Sequence, residues 1–103
     1  MKLSNEMKQI GAYVDASKDC SGTSLFEALP DAKHANVKKH FGNSFSTQRQ
    51  HKYSPDRHLF MIQNHIVTLY MCFGVWRFGC HDSLRNDPFA LAKLEQIKNL
   101  LEA

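Results

Sequence analysis

The chain of 103 residues is poor in the features that mark disulfide-stabilised and secreted proteins. It has only three cysteines, an odd number without a C-x-x-C pair, which argues against a disulfide scaffold and for a reducing compartment. Its start, MKLSNEMKQIGAYV, has no continuous apolar region, so we expect no secretory signal and a cytoplasmic location. Internal repeats, low-complexity tracts and linker-like segments are also missing. We therefore expect a single domain over residues 1–103.

The common motifs of catalysis and of cofactor binding are missing as well. There is no glycine-rich phosphate loop, no G-x-S-x-G turn around a nucleophile and no H-E-x-x-H zinc motif. Six histidines and three cysteines could supply a metal site, but no pair of them has zinc-finger spacing. The sequence thus predicts no cofactor and no metal. The open alternative is a discontinuous metal site formed by Cys72, Cys80, His81 and His58.

No apolar run is long enough and clean enough to predict a membrane span. The best candidate is HLFMIQNHIVTLYMCFGVW, residues 58–76, but polar side chains interrupt it at Gln63, Asn64 and His65. Asn and His tolerate positive φ better than most residues, so these positions suit a tight turn. We therefore predict no membrane contact but an antiparallel hairpin, residues 57–63 and 66–73, with Asn64 and His65 in the turn. Gly74 marks a bend before a further strand.

Alternation along this hairpin gives its two faces different characters. One face is apolar and should lie on the core. Its members are Phe60, Ile62, Val67, Leu69, Met71 and Phe73. The other face is mixed, and its candidate interface residues are Leu59, Met61, Ile66, Thr68 and Tyr70. We expect this mixed face either to be covered by a helix of the same chain or to contact a second copy or a protein partner.

Helical signals precede the hairpin. A stripe of apolar residues at spacings of four, three and four predicts a first helix over residues 4–17. Ser24 and Glu27 form a capping box, which predicts the start of a second helix. Pro30 then begins a third helix, or a kinked continuation of the second, that ends at Gly42.

The last part of the chain carries the clearest helical signal. Asp87 is a good N-cap, Pro88 suits the first helical position, and an apolar stripe follows over residues 88–102. Residues 43–57 are polar and predict a loop, with an edge strand at 45–50 as an option. The predicted fold is α+β: N-terminal helices packed on a small antiparallel sheet built around the hairpin, closed by a C-terminal amphipathic helix.

The net charge of +3 is unevenly distributed. Residues 1–31 carry −2, residues 32–58 carry +5, and residues 59–103 are neutral. Lysine and arginine contact phosphates, and aromatic rings stack on single-stranded bases. The candidate nucleic-acid contacts are therefore Lys38, Lys39, Arg49, Lys52, Tyr53 and Arg57.

Two functions fit these observations. The favoured one is a non-enzymatic binding protein that acts through the mixed face of its sheet, because catalytic motifs are missing and basic surfaces are common on ordinary proteins. The alternative is a nucleic-acid-binding protein that uses residues 33–58. A metal-independent ribonuclease is one form of that alternative, and its candidate acids, bases and phosphate contacts are His51, Lys52, Tyr53, Arg57, His65 and His81.

Overall fold

A computed structural model of the chain describes residues 3–14, 23–42 and 57–103. In chain order these residues form α1 (Asn5–Ile10), β1 (Ala12–Tyr13), β2 (Ser24–Leu29), α2 (His34–Phe41), β3 (Arg57–Ile62), β4 (His65–Cys72), β5 (Val75–Cys80) and α3 (Pro88–Glu102). A 3₁₀ turn, Asp82–Asn86, precedes α3. The five strands form one antiparallel sheet in the order β1-β3-β4-β5-β2. The predicted α+β class with a C-terminal helix is thus confirmed.

The three helices pack on one side of the sheet, which we call the inner face. The opposite side is the outer face. Alternate strand residues such as Phe60, Leu69 and Phe78 point to the inner face and are fully buried there. The helices add Met7, Ile10, Val37, Phe41, Ala90, Leu94, Ile97 and Leu101 to the same hydrophobic cluster. Among the described helices, none has the length and hydropathy needed to cross a bilayer.

Helix α3 has the predicted bounds because its start is fixed by local chemistry. The Oδ1 atom of Asp87 accepts the backbone N–H groups of Phe89 at 3.0 Å and Ala90 at 3.3 Å. Pro88 occupies the first turn, where its missing N–H costs nothing. Its buried stripe faces the sheet, and each buried Leu or Ile stabilises the fold by about 1.5–3 kcal/mol.

Helix α1 is shorter than predicted, since it ends at Ile10 rather than near residue 17. Gly11 adopts φ +92° and its N–H bonds to the carbonyl of Lys8, so the glycine acts as a left-handed C-cap. The chain then pairs as β1 with the end of β3, where Ala12 lies opposite Ile62. The apolar spacing predicted the first two turns correctly, but the glycine that ends the helix was interpreted as an interior residue.

The second predicted helix is wrong. Ser24 and Glu27 lie in β2, which pairs with β5 and has a bulge between Leu25 and Glu27. Leu29 is fully buried opposite Trp76, so pairing with an apolar neighbouring strand overrides the local capping signal. Helix α2 corresponds to the third predicted helix. It ends just before Gly42, as predicted, but it begins at His34 and not at Pro30. The optional strand over residues 45–50 lies outside the described residues.

The hairpin is present, but its turn lies one residue earlier than predicted. Ile62 pairs with His65, so the turn residues are Gln63 and Asn64, and Gln63 adopts φ +56°. The pairing therefore differs from the predicted register by two residues, which leaves every side chain on its predicted face. The further strand after Gly74 is confirmed as β5.

Candidate binding surface on the outer face of the sheet

A row of four residues crosses the outer face on adjacent strands. Arg57 lies opposite Tyr70, Tyr70 lies opposite Arg77, and Arg77 lies opposite Ala28. Directly opposed residues share a face of a sheet, so these side chains are neighbours. Of the described strand residues that point to this face, Arg57 and Arg77 are the only charged ones. The row is therefore cationic, with an aromatic ring between two arginines.

The Tyr70 ring is fixed by the strand beside it and by a cation. A Cβ atom on Gly79 would lie 3.3 Å from the Tyr70 Cε1 atom, so the missing side chain leaves room for the ring. The Arg57 guanidinium carbon lies 5.8 Å from the ring centroid, within cation–π range. Burial raises the pKa of Tyr70, and Cys72 adds to this, against the lowering effect of Arg77 and Arg57. The phenol is therefore protonated at neutral pH and can donate a hydrogen bond.

Arg77 is half-buried beside this ring. Within the described part of the chain it makes no hydrogen bond and no ion pair. By contrast, Arg85 donates to Ser24 and to the carbonyl of Leu25. A guanidinium that no neighbouring acceptor occupies can form strong, charge-assisted hydrogen bonds with an external anion.

The tip of the β4–β5 hairpin continues this surface with apolar groups. Phe73 and Gly74 occupy the turn with φ of +51° and +80°, as a type I′ turn requires. Phe73 is fully exposed to solvent. Cys72 and Val75 pair just below it on the outer face and are half-buried. We call Arg57, Tyr70, Arg77, Cys72, Phe73 and Val75 together the tip surface.

Phe73 corrects a prediction, because the alternation of β4 had assigned it to the core. The strand ends at Cys72, and the turn that follows directs residue 73 into solvent. Arg77 was not among the residues that the sequence predicts for a site. A signal for the tip was available, since glycine is favoured at the second central position of a type I′ turn and follows Phe73 directly.

The five predicted interface residues do share the outer face, but they differ in access to solvent. Leu59, Met61 and Thr68 are buried, with exposures of 1%, 7% and 0%, whereas Ile66 and Tyr70 are half-buried. A buried side chain cannot touch a partner while the chain keeps this conformation. Alternation identified the face correctly but carries no information on which of its residues are covered.

The predicted nucleic-acid contacts are divided by the sheet. Lys38 and Lys39 are exposed on α2, which packs on the inner face, whereas Arg57 points to the outer face. The other members of that set, Arg49, Lys52 and Tyr53, lie outside the described residues. The described part of the basic segment therefore does not form one positive surface, contrary to what the nucleic-acid interpretation needs.

The histidines considered for a ribonuclease are engaged separately in local contacts. His65 Nε2 lies 3.0 Å from Asp87 Oδ2 and joins the β3–β4 turn to the start of α3. His81 Nδ1 accepts the backbone N–H of Ser83. Arg57 lies at the opposite end of the β3–β4 hairpin from His65, five residue pairs and about 17 Å away. The other members, His51, Lys52 and Tyr53, lie outside the described residues.

The discontinuous metal site considered above does not assemble either. Cys72 points to the outer face, while Cys80 opposes Val67 and points to the inner face. No group of three or more potential metal ligands occurs among the residues that the structure describes.

Two further features lie between the helices. Ser4 Oγ accepts the Met7 N–H and lies 2.8 Å from His40 Nδ1, within hydrogen-bond distance, so Ser4 ties the start of α1 to α2. Burial lowers the pKa of His40, assisted by Lys39 and opposed by Glu6. An open groove of about 510 Å³ lies between α1 and α3. It is lined by Glu6, Gln9, Ile10, Gln96, Asn99 and Leu100.

Of the surfaces formed by the described residues, the tip surface combines an exposed aromatic ring with an arginine that has no internal acceptor. Neither the Ser4–His40 pair nor the groove has both features. Comparison of the chain with protein-family models, with curated proteins and with solved structures gives no match.

Proposed function

We propose that this protein is a non-catalytic binding module that recognises another protein through its tip surface. The observation that carries the proposal is Phe73. Its aromatic side chain is fully exposed, and its backbone has a positive φ that phenylalanine rarely adopts. Large aromatic side chains are enriched at the energetic centres of protein interfaces. A partner that covers Phe73 would remove its apolar surface from water, at about 25 cal/mol per Å².

The charge of the tip surface favours a different protein over a second copy. A symmetric dimer through this surface would bring Arg77 close to Arg77 of the other protomer. Like charges at an interface cost free energy unless anions separate them. The described strand residues on the outer face include no acidic side chain that could fulfil this role.

Nucleic acid fits the same surface less well. Arg57, Tyr70 and Arg77 could contact a phosphate and stack on a base, but the tip itself is apolar. The exposed lysines of α2 lie on the other side of the sheet and cannot extend the contact. Protein is therefore the partner class that uses both parts of the tip surface.

A selection experiment tests the proposal without knowledge of the natural partner. A displayed library of random peptides is selected on the purified wild-type protein, and the enriched peptides are then measured against Phe73→Asn and Phe89→Asn. Phe89 is a matched control, because it is 72% exposed and lies near the β3–β4 turn at the opposite end of β4. We expect peptides that lose binding to Phe73→Asn and keep it for Phe89→Asn.

Two results would overturn the proposal. One is a selection whose binders are all indifferent to Phe73. The other is a stable dimer in size-exclusion chromatography with light scattering that Phe73→Asn converts to monomer, because the partner would then be a second copy.

A further inference from the structure

Resting on the proposed function, we infer that the partner segment carries a carboxylate two or three positions from a large apolar residue. The carboxylate would pair with Arg77 while the apolar side chain packs on Phe73. The partner segment is therefore a short, extended peptide that carries one acidic side chain and one large aromatic or aliphatic side chain.

Arg77 is the group on this surface that can bind a carboxylate. Arg77 as a whole residue is half-buried, and the described residues offer it no hydrogen-bond or ion-pair partner. A guanidinium presents donors in a planar fork that matches the two oxygens of a carboxylate. Tyr70, directly opposite on β4, adds a phenol that is protonated at neutral pH and can donate to the same anion.

The described carboxylates nearest to the sheet are already paired elsewhere. Glu27 is paired with Lys98 at 3.0 Å, and Asp87 is occupied by His65 and by the first N–H groups of α3. Asp82 lies 3.7 Å from Arg85, in the 3₁₀ turn after β5. None of these described acids lies on the outer face, so none of them competes for Arg77.

The cationic and apolar parts of the tip surface are a few residues apart along the strands. Arg77 is two residues from Val75 along β5, and Tyr70 is three residues from Phe73 along β4. At about 3.3 Å per residue, the cationic and apolar parts are about 7–10 Å apart. An extended partner covers that distance in two or three residues. This sets the predicted spacing between its acidic and apolar side chains.

The experiment uses the Phe73-dependent peptides from the selection described above. Each peptide is synthesised in its acidic form and in an amide form, in which Asn replaces Asp or Gln replaces Glu. Both forms are titrated by fluorescence polarisation. A hydrogen-bonded charge pair in a partly desolvated site is worth about a tenfold change in affinity. We expect the amide form to bind about tenfold more weakly, and Arg77→Gln to remove this difference between the two forms.

Two further variants separate charge from geometry. Arg77→Lys should retain part of the preference, because an ammonium keeps the charge but not the planar fork. Lys38→Gln makes the same charge change on the opposite side of the sheet and should leave the affinity unchanged. Thermal unfolding by circular dichroism confirms that each variant is folded.

The outcomes distinguish this inference from the proposed function. Peptides that depend on Phe73 but bind equally well as acid and amide would overturn the acidic partner and leave the binding module standing. A lack of any Phe73-dependent peptide would overturn both. Tighter and Arg77-dependent binding of single-stranded oligothymidine would replace the protein partner by nucleic acid.

Discussion

Replacing Phe73 by Asn should make the protein more stable and at the same time abolish peptide binding. Phe73 adopts φ +51°, in the left-handed region that an L-residue without a local polar side chain rarely adopts. Asn is among the residues most tolerant of this conformation, and Asn-Gly is a preferred sequence for a type I′ turn. Because the Phe73 side chain is fully exposed, its removal leaves no cavity in the core.

The magnitude follows from these two facts. The left-handed conformation costs an ordinary L-residue about 1–2 kcal/mol, and Asn recovers a large part of that cost. We therefore expect the free energy of unfolding to rise by about 1 kcal/mol. For a chain near 100 residues this corresponds to an increase in Tm of about 4 °C.

Urea denaturation followed by circular dichroism measures this change, and the m-value should stay constant because the same surface is exposed on unfolding. Phe73→Ala is the informative control, since it removes the ring but keeps a residue that disfavours positive φ. It should lose binding without the gain in stability. A decrease in stability for Phe73→Asn would refute the reasoning, because the ring would then contribute packing energy that a fully exposed side chain cannot supply.

Three further predictions concern Thr68, His40 and the two described cysteines. Thr68→Val should raise the free energy of unfolding by about 1 kcal/mol in urea titrations, because the Thr68 hydroxyl is buried without a hydrogen-bond partner among the described residues and valine has the same shape. Burial holds the pKa of His40 in the folded protein below its ordinary value of 6.5. The contribution of neutral His40 to the free energy of unfolding should therefore be full above pH 6.5 and decrease as the pH falls from 6.5 toward the folded-state pKa. His40→Asn should flatten this pH dependence. Burial raises the pKa of the Cys80 thiol, although Arg85 lowers it. In a variant with Cys20→Ser, a thiol reagent should therefore modify half-buried Cys72 before buried Cys80.

Each of these predictions has a clear contrary result. Destabilisation by Thr68→Val would mean that the hydroxyl has an acceptor in solution. A His40→Asn variant with the wild-type pH profile would assign the acid sensitivity to another group, and His34→Asn, an exposed position, is the matched control. Equal modification rates for the two cysteines would mean that β5 opens readily.

The fold could be predicted wherever a segment's own pattern agrees with its tertiary role. Helix α3 has both its cap and its stripe in the sequence, and the faces of β3 and β4 follow from alternation even though the turn was misplaced. Strand β2 was missed because Ser24 and Glu27 mimic a helix start, while the pairing that makes this segment a strand involves residues about 50 positions later. Local signals cannot report such a partner.

The tip surface was predictable only in parts. The sequence selected Tyr70 as an interface residue and Arg57 as a nucleic-acid contact, in two competing hypotheses. The register of β3 and β4 places the two directly opposite each other, so they belong to one surface. Arg77 and Phe73 were missed because their importance depends on what surrounds them. The described residues offer Arg77 no acceptor, and the turn directs the Phe73 ring into solvent.

The position of the tip surface in the sheet also bears on how strongly it can bind. Strands β4 and β5 lie inside the sheet order, each with a paired strand on both sides, and their inner-face residues Leu69, Trp76 and Phe78 are at most 2% exposed. The hairpin that presents Phe73 is therefore held by two flanking strands and by the core beneath it. Ordering a flexible loop on binding costs about 0.5–1.5 kcal/mol for each immobilised side chain, and a rigid hairpin avoids much of that cost. Under the proposed function, we therefore expect a contact limited to one turn and one cross-strand row to bind a short peptide tightly enough for the selection experiment.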